Sequence, residues 1–328
     1  MSRRFFNTAG PCRPELHYTV DPLPRLPKVR DLIESQNYFV LHAPRQTGKT
    51  TFLYAMMHQL NSEGRYTALQ VNIQPAASGR DPDHAMQIAA TCIYAQAERF
   101  LPPAEMPPDY RIFDWQLENG LKAYLAQWSK SCPKPIVFFV DEADSLMDDL
   151  FLTLLRQLRA GSNSMGTGSP FNIKTESLFM DVFTKAEVNT LMDLHQQETG
   201  QVFSPEVRAE LYRLSQGQPW LMTNALLNQI VSAILKNDFS LTISISHVTQ
   251  AREELIRRRD THLDSLVDKL HEDRIRAIIT AIMAGTIFES DRFNDDLAYV
   301  QDLGLITHKP PIRFANPIYQ EIIPSSSR

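Results

Sequence analysis

The sequence predicts an α/β protein: a parallel sheet covered by helices, then an all-helical stretch, then a tail of two helices and a two-stranded wing. Three observations carry this. Short apolar runs at Tyr38–His42, Tyr66–Asn72 and Ile136–Val140 alternate with amphipathic segments, as strands buried on both faces do. From Thr184 onward, helix start and stop signals follow one another instead. After Asp273 the rhythm changes again, to helix, helix and a Pro-Pro turn flanked by short apolar pieces.

Taken in order, residues 1–37 are rich in Pro and Arg, with an extended-looking His17-Tyr-Thr-Val-Asp21 and a short helix at Leu26–Ser35. The strand at Tyr38 leads through a turn into an amphipathic helix, Thr50–Glu63, stopped by Gly64. The second strand follows at Tyr66–Asn72. Helices at Asp83–Phe100 and Trp115–Ser129, joined by a Pro-rich loop, precede the third strand at Ile136, and a helix at Ser145–Arg159 follows it. Gly161–Pro170 is a concentrated breaker cluster with linker composition, after which Ser177–Met180 is a short strand.

Thr184-Lys-Ala-Glu187 is a capping-box pattern, and Ser204-Pro-Glu206 places an N-cap before a first-turn proline. Helices are expected from each, then at Pro219–Leu235 and His247–Asp268. In the tail, helices at Asp273–Ala284 and Asp295–Asp302 precede Leu305–His308 and Ile312–Ala315, which flank Lys309-Pro-Pro311 as a wing. The expected division is 1–37 lead-in, 38–180 core, 181–270 helical domain and 271–328 winged-helix-like domain.

A length of 328 residues suits two or three domains. With 43% hydrophobic and 22% charged residues, the composition is that of a globular chain and argues against a disordered or fibrous one. A formal net charge of -5 argues against bulk non-specific nucleic-acid binding. The three cysteines lack C-x-x-C spacing, which points to a reducing, cytoplasmic setting without a zinc knuckle or disulfide framework. No run is long enough for a membrane span, and the nine histidines show no metal-ligand spacing.

The chemistry sits where the Tyr38 strand enters Ala43-Pro-Arg-Gln-Thr-Gly-Lys-Thr50. This fits the phosphate-binding pattern G-x-x-x-x-G-K-[ST] with Ala43 at the first glycine position, tolerable if its φ is negative. Such a loop turns backbone N–H groups inward, here those of Ala43, Arg45, Gln46 and Thr47 with Pro44 shaping the turn, at a helix N-terminus that favours anions. Gly48 allows close approach, Lys49 would meet the β and γ phosphates, the Thr50 hydroxyl would coordinate Mg²⁺, and Thr51 would touch the α phosphate. The companion acidic strand is Ile136-Val-Phe-Phe-Val-Asp-Glu-Ala-Asp144. There Asp141 would hold Mg²⁺ and Glu142 would activate the attacking water as general base. Asp144 reads as the cap of the next helix.

With these residues in view, the chain resembles the AAA-like P-loop ATPases of the STAND class, signal-transducing NTPases, in a bacterial type with lead segment, ATPase core, helical domain and winged helix. Further matching pieces are Phe6–Pro11, Tyr18-Thr-Val20, Leu154–Gly161, Ser169–Ile173, Glu198–Gln201, Gly217-Gln-Pro-Trp220, Arg258–His262 and Ala315–Tyr319. The resemblance implies ATP with Mg²⁺ as ligand, Pro219 of Gly217-Gln-Pro219 as a nucleotide-sensing element, and Tyr18 and Val20 of the lead strand against the base. Gly217-Gln-Pro219 also reads as a helix C-cap before a Pro-started helix. Arg45, Arg156 and Arg159 read either as phosphate sensors or as solvent-facing charges.

The resemblance also implies a fifth core strand between the loop strand and the acidic strand, and no apolar run at 160–172 supplies it. Either the two strands then pair directly, bringing Lys49 and Asp141 closer, or the core is damaged. Hydrolysis is thereby separated from binding, because the missing strand would position the water. The leading expectation is an ATP-dependent molecular switch with a protein partner or self-association. The rivals are a nucleotide-binding scaffold without hydrolysis and DNA binding through the winged helix, with the basic run Arg257–Arg259 of the preceding long helix contributing. The acidic helix Asp295–Asp302 speaks against the last.

Overall fold

The computed structural model describes residues 3–115, 120–146, 148–162, 176–258, 268–285 and 295–326. Two compact units divide the chain: an α/β unit, Pro27–Val40 with Thr50–Glu176, and a second, mainly helical unit, Met1–Leu26 with Leu41–Lys49 and Ser177–Arg328.

The elements met first are α1 (Lys28–Glu34), β1 (Phe39–His42), α2 (Lys49–Glu63), β2 (Thr67–Asn72), α3 (Pro82–Phe100), α4 (Gly120–Ser131), β3 (Ile136–Asp141), α5 (Asp148–Ser162) and β4 (Glu176–Phe179). Strands β2 and β3 run parallel in the register Thr67↔Ile136 to Asn72↔Asp141. Asp81 caps α3 by accepting from His84 N, with Pro82 in the first turn. A row of alanines on α3, Ala85, Ala89, Ala90 and Ala97, is buried with Leu69 and Val71 of β2 and with Tyr124 and Trp128 of α4. Small side chains there let the helix lie close to the strand backbone.

The sheet departs from expectation in an informative way. Where one parallel sheet is expected, among the described residues β1 pairs with β4 and β2 with β3, in two two-stranded sheets. In the first, Glu176 N donates to Tyr38 O at 3.2 Å and Met180 N to His42 O at 2.8 Å, so both strands run the same way. No described ladder joins β1 to β3. Phe39 and Phe139 instead meet through their rings, centroids 6.4 Å apart. Thus β2 is buried along Thr67–Val71, whereas β3 alternates only partly into the core. The expected direct pairing of the loop strand with the acidic strand is not what the described residues form.

The second unit contains α6 (Lys185–Thr199), α7 (Pro205–Ser215), α8 (Leu221–Ile234), α9 (Ile245–Arg258), α10 (Asp273–Met283), α11 (Asp295–Asp302) and α12 (Pro317–Ser326). The capping box of α6 forms as its sequence pattern requires, Thr184 and Glu187 each satisfying the other's backbone N–H. Ser204 caps α7 through Val207 N. Helix α8 is wound with π hydrogen bonding, ending with Leu235 N on Ile230 O at 2.9 Å. The buried faces of α6 to α12 share one core, which also takes Phe6 and Tyr18 of the N-terminal segment.

Several boundaries differ from the sequence reading. Helix α5 starts at Asp148, and Asp144 lies within a short 3-10 turn at Ala143–Ser145 rather than capping it. The wing narrows to one antiparallel bridge, Ile306↔Phe314, with Thr307 N on Arg313 O and Ala315 N on Leu305 O. The prolines in its turn offer no N–H with which to lengthen that ladder. Helix α12 is not among the expected elements. The pieces Ser169–Ile173 and Asp260–His262, with Arg259, lie outside the described residues, as do the ends of the helices expected at Trp115 and before Asp268.

Candidate functional site

β1 ends at His42 and the chain turns through Ala43–Gly48 before α2 begins at Lys49. The turn uses the left-handed region twice, at Gln46 (φ 57°) and Gly48 (φ 101°). Gly48 is therefore where glycine is needed. Ala43 is not among the positive-φ residues, which meets the condition its methyl group imposes. Thr47 is buried and donates from Oγ1 to Pro44 O at 2.7 Å, closing the turn. Lys49 Nζ donates to Ala43 O at 2.9 Å, so the ammonium folds over the loop's own backbone.

Three further groups of the same unit hold this loop. Arg25 reaches it from the N-terminal segment: Nη1 donates to Thr47 O at 3.3 Å and Nη2 to Asp181 O. Its guanidinium pairs with Glu187 at 3.7 Å and lies 5.0 Å from the centre of the Phe183 ring. Gln218, the middle residue of Gly217-Gln-Pro219, donates from Nε2 to Arg45 O at 3.3 Å and accepts from Leu221 N at 2.6 Å. From the C-terminal part, Gly304 backs onto Pro44 so closely that a Cβ there would lie 2.6 Å from the proline Cβ. Pro219 is buried at the same junction.

In the α/β unit, Thr50 Oγ1 donates to Asp141 Oδ2 at 2.7 Å. Asp141 is 6% exposed at the last position of β3, and its Oδ1 accepts from Glu142 N at 3.1 Å. The Asp141 Oδ2 atom takes a second donor, Gln70 Nε2, at 3.1 Å. Glu142 is exposed and adopts a left-handed backbone, φ 57°, fixed by Ser145, whose N and Oγ both donate to Glu142 O. Thr51 follows half-buried on α2.

Tyr18 and Val20 stand elsewhere in the second unit. Tyr18 is 2% exposed, its ring against Phe6 and His195, and burial first, with the Glu198 charge, pushes its hydroxyl up to about 12. Val20 packs half-buried on the same core. A polar cavity of ≈ 390 Å³ in this unit is lined by Gln46 of the loop with Thr8, Trp220, Asn224, Asn228 and Glu254.

Arg25 and Gln70 are the residues that sequence reading missed. Gln70 left one trace, a polar side chain at a position inside an otherwise buried strand. Arg25 left none.

Among the described residues, no group of three or more His, Cys, Asp or Glu side chains could hold a metal ion. One hydroxyl and one carboxylate in hydrogen-bond contact is nonetheless the donor set expected of an Mg²⁺ that keeps several of its waters. Among the described residues no helix is long and apolar enough to cross a membrane.

No protein-family model matches the chain, and no curated protein matches it. Among solved structures, the Walker-type ATPase PABY2304 of Pyrococcus abyssi aligns over 97% of this chain and 99% of its own at 15% identity, TM-score 0.51. A Thermotoga maritima RuvB mutant aligns over 93% of this chain and 95% of its own at 14% identity, TM-score 0.44. A chain of Drosophila ORC bound to DNA aligns over 98% and 88% at 14% identity, TM-score 0.45. The first of these shows that the chain has the α/β fold of a Walker-type ATPase; the other two, below 0.5, add nothing to that.

Proposed function

We propose that the chain binds ATP with Mg²⁺ and acts as a nucleotide-dependent molecular switch of the STAND type, hydrolysing ATP to reset. The observation that carries the proposal is the hydrogen bond from Thr50 Oγ1 to Asp141 Oδ2, 2.7 Å. It joins the first turn of the loop helix to the tip of the acidic strand, the pairing that phosphoryl-transfer sites use to hold their metal.

In this reading the backbone of Ala43–Thr51 and the Lys49 ammonium take the phosphates. Thr50 and Asp141 would hold Mg²⁺, which when bound neutralises charge on the β and γ phosphate oxygens. Glu142 would take the proton of the attacking water. Tyr18, Val20 and Pro219 are assigned to base recognition and nucleotide sensing. Support for the switch is the bond from Gln218 Nε2 to Arg45 O, together with Gly304 against Pro44. Any rearrangement of the loop backbone is felt by both segments. The division into lead-in, core (38–180), helical domain (181–270) and winged-helix-like domain (271–328) belongs to this proposal, as do a protein partner and a cytoplasmic setting, which the three free cysteines suit.

Measured ATP affinity of Lys49→Ala beside the parent tests it; equal affinity sinks it. A second reading, nucleotide binding without hydrolysis, is favoured by the absence of a described ladder between β1 and β3. Phosphate release that disappears in Glu142→Gln would reject that second reading.

A further inference from the structure

Gln70 lies inside β2 at 1% exposure, where an apolar residue would ordinarily stand. The register places it opposite Phe139, two residues before Asp141 on β3. Alternate residues share a face of a strand, so Gln70 and Asp141 are diagonal neighbours on one face. Gln70 Nε2 donates to Asp141 Oδ2 at 3.1 Å, and the carboxylate, having only acceptors, fixes which end of the amide is which. The other end, Oε1, is buried with no hydrogen-bond partner.

A buried acceptor without a donor carries the full cost of its lost hydration. That cost is recovered if the donor arrives with a ligand. The neighbouring Thr50 hydroxyl has given its proton to Asp141 and keeps lone pairs for a cation. A divalent ion of the Mg²⁺ type dehydrates reluctantly, and the waters it keeps are strong donors.

We propose that Gln70 is a positioning residue of the cation site: Nε2 locks the Asp141 carboxylate, and Oε1 accepts from a water in the cation's hydration shell. The inference rests on the Mg²⁺-nucleotide reading above. Gln70 thus does for this site what the outer partners of metal ligands generally do, orienting the ligand and tuning its affinity.

The test is fluorescent ADP binding to the full chain, first in EDTA and then titrated with MgCl₂, for the parent and Gln70→Met. Methionine matches the volume and suits a buried strand. The expected result is unchanged affinity in EDTA and a rise of about 10–100-fold in the Mg²⁺ concentration at half-effect. Gln70→Asn, which withdraws the amide by one methylene, should show the same rise and carries the test should the methionine variant unfold. An unaltered Mg²⁺ half-point in a variant that binds ADP overturns the proposal while leaving the functional reading intact. A parent that binds ADP in neither condition overturns both.

Discussion

Thr50 Oγ1 and Asp141 Oδ2 are hydrogen-bonded at 2.7 Å although they lie 91 residues apart in the chain. The bond ties the start of α2 to the end of β3, and its acceptor is a charged oxygen, which makes it one of the stronger kind. Replacing Thr50 by Val keeps the shape and removes the donor. The expected outcome is a loss of about 1.5–3 kcal/mol in stability, read by urea denaturation, together with loss of the Mg²⁺ effect on nucleotide affinity. A variant with parental Mg²⁺ response would remove Thr50 from the cation site.

Arg25 is the second lever. Its guanidinium serves two carbonyls, Thr47 O in the loop and Asp181 O, and pairs with Glu187, whose side chain is only 18% exposed. Arg25→Ala strands all three acceptors, at an expected cost of about 2–3 kcal/mol. It should also weaken ATP binding, because the carbonyl of Thr47 then has lost a donor that orients the turn. Arg25→Lys returns the charge to Glu187 without the two-pronged fork. It should recover part of the stability and little of the affinity; full recovery of both by lysine would mean that charge alone matters.

The legible parts of this molecule are those whose cause is local. Gly48, Lys49 and Thr50 announce a turn and a helix start within a few residues, and Thr184 with Glu187 announces a capping box, so both could be read in the chain. Asp141 was legible because an apolar run ends on it. Gln70 was not, since its role depends on which strand lies beside β2 and in what register. Arg25 belongs to a Pro-rich segment whose partners are 22 and 156 residues away, a distance no spacing rule spans. Helix α12 did carry a local signal: Asn316 accepts from Tyr319 N at 2.9 Å as an N-cap before Pro317. In the sequence the same residues also carry the family resemblance. The two strand pairs of the described residues, with Phe39 against Phe139, required tertiary packing.

The α/β unit carries a pH-dependent element at Glu105. Burial works against its ionised form, and hydrogen bonds from Lys134 and Thr67 outweigh that, holding the carboxyl below its usual range. A carboxyl depressed by folding contributes its full stability above the unfolded value, about 4.3, and loses it as pH falls through the folded value. Lys134→Met should cost about 1–3 kcal/mol near neutrality. The gap between parent and variant, followed by urea denaturation at a series of pH values, should close as the medium is acidified through the carboxylate range. A gap that stays constant to the acid limit would exclude Glu105 as its source.

Two glycines with the same backbone angle separate conformational strain from steric contact. Gly200 and Gly217 both have φ 77°, so alanine is disfavoured at each by about 1–2 kcal/mol. Around Gly200, the C-terminal residue beyond α6, an added Cβ would meet nothing within 4 Å. At Gly217 it would lie 1.9 Å from Phe183 O, and that backbone is held in place by Phe183 N donating to Gly217 O at 2.9 Å. Neither strand of chain can yield without breaking the bond between them. Gly200→Ala should therefore cost about 1–2 kcal/mol, and Gly217→Ala at least about 2 kcal/mol more, from the lost backbone bond and the displacement it forces. The neighbouring Gln218 also donates to Arg45 O in the loop. Gly217→Ala should thus lower ATP affinity, whereas Gly200→Ala should leave it at the parental value. Equal denaturation midpoints for the two variants would show that the close approach at Phe183 relaxes freely, and parental affinity in a folded Gly217→Ala would detach Gly217-Gln-Pro219 from nucleotide sensing.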